Sequence, residues 1–202
     1  MSRNSVFFIY QKRYVTFEMI FETEKYQVKI TNESDYNSDS KENIFNYKKK
    51  YLTDSDYILL TKFGITVFEN GIELNSALIG AEGGASGLHR TSQIIENNRI
   101  LICCSDTIFS LELPSLSLNW KTKVDQATAF QIFKIEGGFI VHGELEITRI
   151  DDKGNVIWQN GGADIFVTPD GKDNFKVNGE VIKAIDWGNR TYKWNLNGIE
   201  LK

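Results

Sequence analysis

The 202-residue chain is poor in proline, cysteine, methionine and histidine, with two of each. No apolar run approaches the roughly 20 residues that cross a bilayer. The apolar stretch near the start is cut by Gln11, Lys12 and Arg13, so no secretory core segment is expected there. The expectation is a cytoplasmic protein with no membrane contact. Clustered positive charge is scarce as well: 23 Lys and Arg stand against 27 Asp and Glu for a formal net charge of −4, and the only basic run is Lys48, Lys49 and Lys50. A nucleic-acid partner needs clustered cations, so none is expected. Cys103 and Cys104 are adjacent. In a strand they point to opposite faces, so an ordinary bridge between them is strained, and no further ligand stands at metal-binding spacing. Helix signal is thin too. The best stretch, 119–131, has Ala127 and Ala129 but no stable apolar face.

Aromatic residues are plentiful, with 13 Phe, 8 Tyr and 4 Trp. Together with Val, Ile and Thr they suit pleated surfaces. Hydrophobic content is 41% and charged content 25%, enough for a core and for solubility. Short alternating strands fill 5–10, 14–22 and 26–31. The polar segment 32–43 reads as a loop. Its Asp35-x-Asn37-x-Asp39 spacing has Ser40 and Asn46 where a calcium loop needs glycine and glutamate, so no metal is expected.

From residue 44 onward one unit recurs, over 57–74, 99–120, 138–158 and 175–194. Each copy has an apolar strand, a polar break, an alternating strand, a turn and a third strand. In the third copy these are Phe139–Val141, Ile147–Ile150, the turn Asp151-Asp152-Lys153-Gly154, and Val156-Ile157-Trp158. Aligning Ile65, Ile108, Ile147 and Ile182 gives intervals of 43, 39 and 35 residues, near the period of about 40–45 residues for propeller blades. Innermost strands are expected over 45–52, 91–95, 129–135 and 165–168. The expected fold is all-β: about four consecutive four-stranded antiparallel blade-like units, a small or partial β-propeller over 44–202. An N-terminal β appendage with its acidic loop occupies 1–43. An open last strand would expose unpaired backbone. Some closure is therefore expected: a small ring of the four units, or an open array completed by the N-terminal strands or by a homodimer through the terminal strands.

Asp151-x-x-Gly154-x-x-x-Trp158 resembles the end of a quinoprotein-type propeller repeat, in which an acidic residue and a glycine turn precede a tryptophan that docks between blades. Glu112 to Trp120 is similar but has Leu116 at the glycine position, and 186–194 is a looser match. The resemblance implies a repeat scaffold. The chain is too short for the full ring that holds a quinone and calcium, so no cofactor is expected.

Blade geometry sorts the candidate residues. Turns between second and third strands share one face with the connections between units. That face receives Asp106, Asp125, His142, Glu144, Asp164 and Glu180, with His89 and Arg90 in the 75–90 connection. Long loops on a rigid scaffold are where binding sites usually lie, and carboxylates attract a basic surface. In tryptophan–aspartate propellers a histidine and an aspartate placed like His89 and Asp106 form a structural network. Asp125 and Asp164 suit capping of loop N–H groups. The glycine-rich 82–87 lacks the lysine of a phosphate loop. The leading expectation is a noncatalytic protein-interaction module with an acidic loop face, of which a toxin-neutralising protein is one concrete form. The alternative is a small hydrolase or lyase using His142 with Glu144 or Asp125 in a central funnel.

Overall fold

The computed structural model describes residues 4–5, 18–37, 40–168, 171 and 174–202, with only the backbone of 4–5. Most of the strands expected over 5–10 and 14–22, and Asp39, lie outside those residues. Seventeen strands are described, and they form four sheets.

The first sheet contains β1 (Asn4–Ser5), β2 (Glu18–Glu22), β3 (Gln27–Asn32), β4 (Lys49–Leu52), β5 (Thr61–Glu69) and β6 (Ile72–Ala81), in the order β1-β2-β3-β5-β6-β4. Its antiparallel meander is β2-β3-β5-β6, with β3 pairing to β5 from Gln27↔Phe68 to Asn32↔Phe63. The N-terminal strands thus supply the first two strands of the first blade-like unit, and the long segment 33–60 joins its second and third. The innermost strand expected over 45–52 is corrected: Lys49–Leu52 pairs in parallel with β6 on the far edge.

The second unit is the meander β7 (Gln93–Glu96), β8 (Arg99–Cys104), β9 (Thr107–Glu112) and β10 (Leu118–Lys123). The third is β11 (Ala129–Ile135), β12 (Gly138–Gly143), β13 (Glu146–Ile150) and β14 (Val156–Gly161). The fourth has three strands, β15 (Phe175–Asn178), β16 (Val181–Ile185) and β17 (Thr191–Asn195), plus a single bridge from Trp194 to Glu200.

Period-two alternation stacks these sheets. On β8, Ile100, Ile102 and Cys104 pack into a core shared with Ile30, Phe63, Ile65 and Ile79 of the first sheet. Leu101 and Cys103 point the other way, to Phe139, Val141 and Ile150 of the third. On β12, Ile140 turns away from Phe139 and packs with Phe175, Ile182 and Trp194 of the fourth sheet. A strand buried on both faces must be apolar at nearly every position, which explains the unbroken run Ile100-Leu101-Ile102-Cys103-Cys104. Each fully buried Phe or Ile contributes about 1.5–3 kcal/mol. The cysteines are free, their side chains packed into the cores on opposite faces of β8. Burial pushes both thiols up, that of Cys104 to about 12.

Consecutive units also interlock through a repeated turn. Asp151 Oδ1 accepts from the N–H groups of Lys153 and Asn155, each at 2.8 Å. Asn195 Oδ1 accepts likewise from Asn197 and Ile199, at 2.9 and 3.0 Å. Gly154 (φ 84°) and Gly198 (φ 77°) complete the two turns. A Cβ on Gly154 would lie 2.5 Å from the Trp120 ring, and one on Gly198 would lie 2.8 Å from Trp158. Each glycine turn therefore seats on the tryptophan of the preceding unit. Thr122 Oγ1 donates to Gly154 O at 2.6 Å and Asn160 Nδ2 to Gly198 O at 2.9 Å, each two residues beyond its tryptophan. In the second unit Leu116 (φ 54°) takes the glycine position, and Tyr51 of β4 donates to its carbonyl at 3.0 Å.

This turn also corrects the register of the fourth unit. Its third strand is β17, so Thr191, 44 residues after Ile147, is the equivalent position, and Ile182 belongs to the second strand. The segment 165–168 is connection rather than strand. Trp194 is a buried residue of the third strand and not the docking tryptophan.

Candidate functional site: the connection face

The face that carries the unit-to-unit connections is laced by backbone hydrogen bonds. In each of the last three units a residue of the turn between second and third strands donates to the preceding connection. The bonds are Asp106 N to Glu82 O (3.2 Å), Glu144 N to Thr128 O (2.8 Å) and Trp187 N to Ile165 O (2.8 Å). This places 186–190 on the connection face and corrects the expectation for Glu180: the 179–180 turn joins the first and second strands and lies on the opposite, hairpin face.

Two of the expected site carboxylates lie inside this lacing. Asp125 is 1% exposed. Its Oδ1 accepts from the N–H groups of Ala127 (2.6 Å) and Thr128 (3.0 Å), and its Oδ2 from those of Leu145 (2.9 Å) and Glu146 (2.8 Å). Burial raises its carboxyl while these four donors pull it back down. Gly143 is small because a Cβ there would meet Asp125 Oδ2. Asp106 is buried, accepts from Thr107 Oγ1 at 2.7 Å and pairs with Lys123 at 2.8 Å. It does not join His89, whose Nδ1 lies 3.1 Å from Thr91 Oγ1. Asp186 plays a matching part in the fourth unit: fully buried, it accepts from the Arg190 N–H and from Tyr192 Oη. Sequence reading missed Asp186 because the fourth unit was taken one strand out of register.

His142 is a core residue. Four positions into β12, it faces the same way as Ile140 and stacks on Phe175, with centroids 4.5 Å apart and planes 4° apart. Its Nδ1 lies 3.0 Å from the Gln131 side-chain amide and its Nε2 3.0 Å from the Phe166 carbonyl. Burial lowers its pKa to about 4. A neutral ring donates only once, so Nε2–H serves Phe166, and half a turn of the Gln131 amide supplies a donor to Nδ1. Gln131 continues to Thr91 Oγ1 at 3.0 Å, and Thr91 to His89. The ring nitrogens are therefore engaged within the chain and are joined neither to Glu144 nor to Asp125.

What remains outward on this face is different in kind. Leu145 is 38% exposed and Trp187 48% exposed. They sit on the turns of the third and fourth units, linked through Glu144 O to Phe166 N and Ile165 O to Trp187 N. Glu82 and Asp164 are exposed and Glu144 half-buried, and none of the three has an ion-pair partner among the described residues. Lys123 and Arg190 are compensated by Asp106 and Asp186. Exposed His89 and Arg90 lie toward the first two units. Among the described residues no helix is long and apolar enough to cross a membrane.

The sequence matches no protein-family model and no curated protein. Solved structures resemble the fold distantly. The computationally designed Ika4 protein is 10% identical over 60% of this chain and 77% of its own, with a TM-score of 0.45. The designed Ika8 protein is 9% identical over 91% of this chain and 59% of its own, with a TM-score of 0.49. The AfRom2 CNH domain is 10% identical over 92% of this chain and 66% of its own, with a TM-score of 0.45.

Proposed function

We propose that the chain is a noncatalytic protein-interaction module that docks a basic protein on its connection face. The observation that carries this reading is the exposed pair Leu145 and Trp187, held on backbone-bonded turns and flanked by the uncompensated carboxylates of Glu144 and Asp164. Exposed tryptophan is among the residue types that most often anchor an interface. Carboxylates at the rim select a cationic partner and speed encounter. Toxin neutralisation is one function that such a face would serve. The hydrolase alternative draws no support from His142, whose ring is engaged on both edges and stacked on a third side. The seating of Gly154 on Trp120 and of Gly198 on Trp158 supports kinship with quinoprotein-type propeller repeats.

The test is photo-crosslinking in cells from a reactive amino acid at position 187, with position 199 on the hairpin face as control. The expected result is one discrete adduct from 187 whose partner has a basic isoelectric point, and none from 199. No adduct from 187, or the same adduct from both positions, would refute the reading.

A further inference from the structure

The first unit also brings apolar side chains to the connection face. Segment 53–60 joins β4 to β5, and both its ends are fixed at the connection-face end of the first sheet. Thr53 N donates to Gly80 O at 2.9 Å, and Thr61 pairs with Ala81. Ser86, in the connection that follows β6, donates its N–H to Thr61 Oγ1 at 2.8 Å, so loop and connection are neighbours. Within the loop, Lys62 Nζ donates to Leu59 O at 3.1 Å, and a Cβ on Gly80 would lie 3.2 Å from Leu59 Cδ1. Leu59 therefore turns in against the sheet, and its neighbours turn out. Tyr57 is 82% exposed, Ile58 86% and Leu60 57%. A single exposed apolar side chain is ordinary, but three together mark a contact surface.

The charge around this group matches the other end of the face. Asp54 and Asp56 are exposed, neither has an ion-pair partner among the described residues, and 53–60 holds no cation. Exposed Glu82 continues the acidic rim along the connection. Between the two ends Ser105 and Asp106 are buried, so the second unit offers no anchor. Sheets stack about 10 Å apart, which puts the Tyr57 group and the Leu145–Trp187 pair on the order of 20–30 Å from each other. A stable interface covers about 800 Å² on each partner, a patch about 30 Å across. Neither end supplies that width alone, and the two together do.

We propose, on the reading that this face docks a basic protein, that a single copy of that protein grips it at both ends, with Tyr57 and Ile58 as the second anchor. Tyrosine, like tryptophan, is a residue type that carries interface energy. Asp54, Asp56 and Glu82 extend the field that selects a cationic surface, so the partner presents cations along the whole span.

The experiment places p-benzoylphenylalanine in the whole chain at position 57, at 187, or at both, with irradiation in cells. The two single positions should capture the same basic protein, cross-linked at two separate segments of its sequence. The doubly substituted chain should give an adduct with the mass of one partner. Tyr57→Ala combined with Ile58→Ala, at exposed positions, should cut the adduct from 187 about tenfold or more while the chain stays folded. An adduct from 187 with none from 57, or a different protein from 57, would overturn the proposal and leave docking at 187 standing. Two partner copies on the doubly substituted chain would overturn it too, as would an undiminished adduct from 187 in the folded double-alanine variant. No adduct from 187 would refute both the docking role and the second anchor.

Discussion

Asp125→Asn is the sharpest probe of how the connection face is built. The substitution is isosteric but replaces one acceptor oxygen with an NH₂ donor. Asp125 now receives four backbone N–H groups, two on each oxygen. Whichever way the new amide turns, two backbone donors meet another donor and are left unsatisfied in a site that is 1% exposed. Hydrogen bonds to an ionised group are worth about 1.5–3 kcal/mol each, which gives about 3–6 kcal/mol for two. Burial of the carboxylate, which raises its pKa, offsets part of this because a neutral amide is cheaper to desolvate. The expected net loss is about 3 kcal/mol. For a chain of this size that lowers the melting temperature by about 6–12 °C. Thermal melts followed by far-UV circular dichroism at pH 7 read this directly. A variant melting within about 1 °C of the parent would refute the claim that Asp125 holds the turns together.

Three further outcomes follow from the same geometry. His142 is buried with a folded pKa of about 4 against an ordinary 6.5, so between those values the unfolded chain binds a proton that the folded chain does not. Stability should fall by about 3 kcal/mol as pH drops through that window, and urea melts of His142→Phe should lack this slope. Gly71 and Gly198 both have positive φ, but a Cβ meets nothing within 4 Å at Gly71 and the Trp158 ring at 2.8 Å at Gly198. Gly71→Ala should cost about 1 kcal/mol and Gly198→Ala about 3 kcal/mol in denaturant titrations; equal costs would remove the interlock. Cys103 and Cys104 should resist a thiol reagent in the native state and react when unfolded, because burial raises both thiols. Fast labelling of the native chain would contradict the packing of β8.

The third unit is legible in the sequence because its signals are local. Asp151 and Gly154 make the turn, Trp158 closes the unit, and the unbroken apolar run Phe139-Ile140-Val141 marks a strand buried on two sides. Ile65, Ile108 and Ile147 fall on third strands for the same reason. The first unit is not legible from 44 onward, because its first two strands lie before the 33–60 segment and pair only through space. The fourth unit is read one strand out of register because Trp194 mimics the closing tryptophan. The true turn uses Asn195 where Asp151 stands, an amide oxygen serving the same two N–H groups as a carboxylate. The connection face itself follows from the repeat. What the sequence does not carry is the direction of each side chain on it. Asp106 and Asp125 point inward to N–H, hydroxyl and ammonium donors, while Leu145 and Trp187 point out.

The account rests on a division of labour between buried acids that hold the connection face and exposed groups that use it. The double reversal Glu144→Lys with Asp164→Lys, compared with the parent for both melting temperature and the adduct formed from position 187, tests that division most directly. The melting temperature should stay within about 2 °C, as surface carboxylates without an ion-pair partner contribute little to stability, while the adduct disappears. An undiminished adduct in a folded double variant would contradict it.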